Sequence, residues 1–191
     1  MTTNTDGNKQ QNRVMNIVII YPFVVLLIGI GLNYFVFGVN SYVINSPSEV
    51  SVLALIFSAV LLTLNHTWIM TATELTRAKF KIHSTPEEWI KSGANKNNIS
   101  EVGASELKRH HDTHQNTTEN IVYFILLAIA LIFVSPPVVT VYVWFVGFAI
   151  ARIGYTYGFL YGKDGVRGLF MTLSLLAMYG MASYLVISLL V

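Results

Sequence analysis

Within this 191-residue chain, acids, amides and cations recur at helical spacing. In RHHDTHQNTTEN (109–120), Asp112, Asn116 and Glu119 follow at four and three residues, one above the other on a helix. Arg152, Tyr155 and Phe159 repeat that spacing in FAIARIGYTYGFLY (148–161). Charges inside apolar segments are costly and mark functional or paired sites by default. Two readings are open: the groups converge on one ligand cavity, or Glu119 and Arg152 form a structural ion pair that staples two helices. His110, His111 and His114 add an H-H-x-x-H cluster whose first and last members share a face, as two metal ligands would. Di-iron membrane enzymes need several such clusters, and His66 and His83 stand isolated, so no metal is expected.

These residues must be positioned by membrane helices. The chain is 53% hydrophobic and 12% charged, against about 25% charged in an ordinary soluble domain. It has no cysteine, which excludes disulfides, thiolate nucleophiles and Cys-based metal sites. A spanning helix needs about 20 apolar residues, and five candidates qualify: 14–37, 52–73, 120–134, 138–160 and 166–191. The third is too short alone and spans only if its helix begins near Ser105. Pro47, Pro86, Pro136 and Pro137 punctuate the series. The first segment is longer than a signal-peptide core and no small-x-small site follows it, so it reads as a retained helix. Residues 1–13 read as a polar cytoplasmic tail, mobile over 1–12. The expected class is an all-α integral membrane protein of five spans.

Lysine and arginine set the expected orientation. Lys9 and Arg13 precede the first span, and seven basic residues, from Arg77 to Arg109, lie between the second and third. Lys163 and Arg167 flank the last turn, while 38–51 and 135–137 carry none. The positive-inside rule puts the N-terminus, 74–116 and 162–167 in the cytoplasm.

Four segments together resemble the membrane-associated proteins in eicosanoid and glutathione metabolism, the MAPEG superfamily. They are ELTRAKF (74–80) with TPEEW (85–89), HQNTTEN (114–120), FAIARIGYTYGFLY (148–161) and VRGLF (166–170). The likeness covers 52–191 and is nearest the microsomal glutathione transferase and prostaglandin E synthase branch. It implies a four-helix bundle at 52–191, preceded here by one extra transmembrane helix at 14–37. It also implies a homotrimer with glutathione as co-substrate between subunits near the cytosolic face. By the resemblance, Arg77 reaches glutathione from the adjacent subunit, and Asn116 and Glu119 hold the tripeptide. Arg152 is a buried arginine near that glutamate, Tyr155 touches glutathione, and Arg167 stands beside its sulfur. Asp112, Gln115, Phe159 and Gly168 depart from residues common in relatives; Gly168 replaces the serine of prostaglandin synthases.

A free thiol with a pKa of about 8.5 is only a few per cent ionised at neutral pH. The implied chemistry is therefore thiol activation, with Arg167 and Tyr155 as catalytic residues. The expected function is a glutathione S-transferase or peroxidase acting on lipophilic electrophiles or lipid hydroperoxides that arrive through the bilayer. Its expected partners are glutathione, membrane lipids and further copies of the chain, with no nucleic acid. A non-catalytic lipid-binding scaffold is the alternative, and no internal repeat supports a transporter.

Overall fold

The computed structural model describes the backbone of residues 3–191 and the side chains of residues 10–191. Among the described residues there are seven α-helices, six of which build five spans: α1 (Thr3–Gly31), α2 (Glu49–Phe80), α3 (Pro86–Ser92), α4 (Glu101–Ile132), α5 (Val138–Val141), α6 (Gly147–Leu160) and α7 (Asp164–Ser188). A π-helical turn, Leu32–Phe37, prolongs α1, and another, Tyr142–Val146, joins α5 to α6 into one span, Val138–Leu160. The short α3 lies in the α2–α4 connection and is not a span. The five long apolar helices are those of an integral membrane protein.

Helix starts follow from side-chain caps. Ser48, Thr85 and Ser100 accept from the backbone N–H groups of Ser51, Glu88 and Gly103 at the heads of α2, α3 and α4. Because Ser100 caps the polar run directly, α4 begins at Glu101 rather than near Ser105. Helix α2 likewise continues past Thr73 until Lys81 turns left-handed at φ 53°. At 32 residues each, α2 and α4 are about 48 Å long, against a hydrocarbon core of about 30 Å. Their polar ends therefore rise beyond the core at one end of the bundle, the basic end.

Helix α1 runs from Thr3, where the sequence suggested a mobile tail. Apolar residues 14–31 supply the nucleus, and extension into the Asn/Gln-rich stretch costs little once a nucleus exists. Residues 1 and 2 of that tail lie outside the described residues. Around residues 10–20, α1 is exposed on all sides. From Tyr21, whose hydroxyl bonds Thr172 Oγ1 at 2.7 Å, it docks on α7, with Gly29 against the Gly180 backbone. Asn33 is fully buried there: its Nδ2 donates to Gly180 O and Ser183 Oγ, and its Oδ1 accepts from Trp144 Nε1. Every polar atom of that amide has a partner, as hydrocarbon surroundings demand.

The opposite, bare end is closed by residues 38–48. Tyr42 N–H donates to Ser188 O and Asn45 N–H to Phe133 O, which satisfies carbonyls left over at the ends of α7 and α4. Below this strap sits a core of Phe124, Phe145, Phe148, Leu131, Met181 and Tyr184. Phe124 and Phe148 stack with ring centroids 4.3 Å apart. Lipid tails are as apolar as these side chains, so close packing, not exclusion from water, holds this region together.

Candidate functional site

Successive residues of α4 turn by about 100°. From Asn116, Thr117 therefore points about 100° to one side and Glu119 about 60° to the other. Thr117 is buried, Asn116 half-buried and Glu119 exposed. Arg152, on α6, is fully buried and faces the inner side of this wheel. Its Nη2 donates to Thr117 Oγ1 at 2.8 Å and to Asn116 Oδ1 at 3.0 Å. Its Nε and Nη1 are buried without a partner in the chain.

The Glu119–Arg152 ion pair, one of the two readings left open by the spacing, is not formed among the described residues. Glu119 points outward and accepts from Gln115 Nε2 at 2.9 Å. The four-and-three spacing put Asn116 and Glu119 on one broad face but left open which edge of it turns inward. Asp112 also lies toward the outer edge, where Lys108 Nζ donates to it at 2.6 Å.

From Arg152 a ladder of stacked side chains runs to the basic end. The guanidinium lies 4.2 Å from the Tyr155 ring centroid, Tyr155 lies 5.7 Å from Phe159, and Arg167 stands 5.2 Å above Phe159. Residues three and four apart on α6 produce the first steps; the last requires α7 to come very close. A Cβ at Gly158 would fall 2.5 Å from Arg167 N, and one at Gly154 would fall 2.4 Å from the Phe170 ring. The two glycines form a small-x-x-x-small surface on which α7 rests. Arg167 Nη2 is 3.3 Å from Asp164 Oδ1.

Of the expected site residues, the chain thus joins Asn116, Arg152, Tyr155 and Arg167. Arg77 lies apart, near the end of α2, where its Nη2 donates to His111 Nε2 at 3.2 Å and its Nε lies 3.5 Å from Glu74 Oε1. It lines a surface pocket of about 540 Å³ with Lys81, His83, Ser84 and Glu88. His66 is not isolated: its ring centroid lies 5.1 Å from that of His114. Thr76 Oγ1 is 3.1 Å from His110 Nε2. Among the described residues no three His, Cys, Asp or Glu side chains are grouped to hold a metal.

Thr117 was missed from the sequence, as were the two glycines. A signal existed for each. The buried positions 110, 113, 117, 124, 128 and 131 of α4 form an inward stripe at helical spacing, and G-x-x-x-G stands openly at 154–158.

Chemically, the assembly offers a charge with two unused donors, an amide, a phenol and a second cation at the basic end of a membrane bundle. The model of one protein family, described as the MAPEG family, matches residues 54–187, from within α2 to near the end of α7. No curated protein matches the chain.

Proposed function

The chain belongs to the MAPEG family, and on that premise we propose that it is a membrane-bound glutathione S-transferase with peroxidase activity toward lipid hydroperoxides. One observation carries the reading: Asn116, Arg152, Tyr155 and Arg167, all residues that the resemblance ties to glutathione, form one connected network. The donor set suits the tripeptide. The buried Nε and Nη1 of Arg152 are unused, guanidinium forks match carboxylates, and the exposed Glu119 is free to meet an amine. Glutathione supplies the thiol that attacks a lipophilic electrophile. Arg167 favours its anionic form by charge, and Tyr155 stacks between the binding and activating cations.

Arg77 and Glu119 turn away from the network of their own chain. We assign both to sites completed by a neighbouring copy in a homotrimer, with the basic end facing the cytoplasm. Lipid substrates then reach the site sideways from the bilayer.

The non-catalytic scaffold reading draws on the Arg167–Asp164 pair, which partly answers the cation assigned to the sulfur. Anaerobic titration with glutathione, following thiolate absorbance, separates the two. The enzyme is expected to develop saturable thiolate absorbance near neutral pH; a protein that binds lipid and develops none is the scaffold.

A further inference from the structure

The Arg152 guanidinium has only N–H donors. The atom of Asn116 that faces it must therefore be the amide oxygen, because the NH2 group would set donor against donor. Asn120 adds to the constraint: its Nδ2 donates to Asn116 O at 2.7 Å and lies 3.5 Å from Asn116 Oδ1. With the oxygen held by Arg152, the NH2 group of Asn116 bonds no group among the described residues and is not one of the buried unpaired atoms, so it is open to a ligand. The guanidinium is itself held by Thr117, whose buried Oγ1 accepts from the same Nη2 at 2.8 Å. Tyr155 supports its face at 4.2 Å.

We infer that Thr117 is a positioning residue: through Arg152 it fixes the Asn116 amide so that Asn116 presents a donor to the ligand. The group received there is an acceptor, a carbonyl or carboxylate oxygen of the peptide co-substrate, and not its amine. This rests on the glutathione reading above. It adds the polarity of one contact and a residue that governs it without touching the ligand. Threonine suits the task. Its hydroxyl accepts from the guanidinium, a role that serine can also fill.

Three single variants of the full-length protein in nanodiscs test this, with steady-state kinetics in glutathione and thermal unfolding read together. Thr117→Val keeps the shape and removes the acceptor. It should raise KM for glutathione roughly five- to tenfold, the worth of one misdirected hydrogen bond, with kcat within about twofold because binding is lost equally from ground and transition states. Thr117→Ser should restore KM. Asn116→Asp still offers Arg152 an oxygen, so it should unfold no earlier than wild type, yet it should bind glutathione worst of all because an anion replaces the donor. A wild-type KM in Asn116→Asp overturns the proposal. So does a Thr117→Val protein that loses kcat and KM performance together with thermal stability and is not rescued by serine. If the wild-type protein binds no glutathione, the functional reading fails separately, and a stability cycle between Thr117→Val and Asn116→Leu still decides the positioning. Coupling through Arg152 makes their effects non-additive; additive effects reject it.

Discussion

Arg167 sits at the outer end of the aromatic ladder, stacked on Phe159 and 3.3 Å from Asp164. A cation beside the sulfur acts on the reactive form of the thiol, so its removal belongs in the rate and not in the affinity. Arg167→Ala is expected to leave glutathione binding within several-fold and to lower conjugation by roughly 10²–10³, the usual worth of one electrostatic stabiliser. Arg167→Lys keeps the charge without the fork and should recover part of the rate. Thiolate absorbance and turnover measured on the same preparation check this, and an alanine variant with both unchanged removes Arg167 from the mechanism. At this scale the sequence was legible where a polar group interrupts apolar surroundings. Arg152, Asn116 and Glu119 stand out for that reason. Thr117 does not, because threonine is unremarkable in HQNTTEN, and its importance comes from facing an arginine 35 positions away. Of the two readings open for Glu119, the pair with Arg152 is the one the structure does not form, since a rotation of about 60° along α4 separates an inward amide from an outward carboxylate.

Elements were more legible than their ends. All five spans are present, because runs of apolar residues long enough to cross hydrocarbon have few other uses. The ends moved where caps and polar helix formers extended α1, α2 and α4 beyond their apolar runs. Neither π-turn had a signal in composition, yet the two meet through the Asn33–Trp144 hydrogen bond and the edge-to-face contact of Phe37 with Trp144 at 5.4 Å. This junction is the clasp between α1 and the other four spans. Replacing Asn33 by leucine keeps the bulk but strands the Trp144 N–H in an apolar setting, while the Ser183 hydroxyl keeps its bond to Gly180 O. A loss of about 1–3 kcal/mol is expected for a buried donor left without its acceptor, seen as an earlier thermal transition in detergent. A transition identical to that of the native chain would mean that α1 docks without help from this junction, held by its packing on α7 and by the Tyr21–Thr172 hydrogen bond.

For the whole molecule, the telling fact is where α1 is not. It lies against α7, leaving the outer faces of α2 and α4 uncovered by it. Those faces expose His66, Gln115 and Glu119 within segments long enough to span a membrane. Exposed carboxylates and imidazoles are poor company for lipid tails, and a second copy of the chain would give them polar neighbours. The prediction at this scale uses two variants that are each expected to be inactive, Arg77→Ala and Asn116→Ala. Co-assembled in one oligomer, they should regain activity, because some interfaces then pair an intact Arg77 with an intact Asn116. Sites confined to single subunits stay broken in every combination, and a detergent-corrected mass of a monomer would end the idea before any kinetics. The proposed arrangement between copies has no signal in periodicity or charge, which describe one helix at a time.

The enclosed indole of Trp144 also makes the protein its own optical instrument. The chain has three tryptophans: Trp68 half-buried on α2, Trp89 beside His83 near the basic end, and Trp144 wedged on Gly180, where a Cβ would fall 2.4 Å from its ring. Trp144 alone is bonded to α1 through Asn33. With Trp68 and Trp89 replaced by phenylalanine, the colour of the remaining emission reads whether the first span is seated, in intact membranes and without any added label.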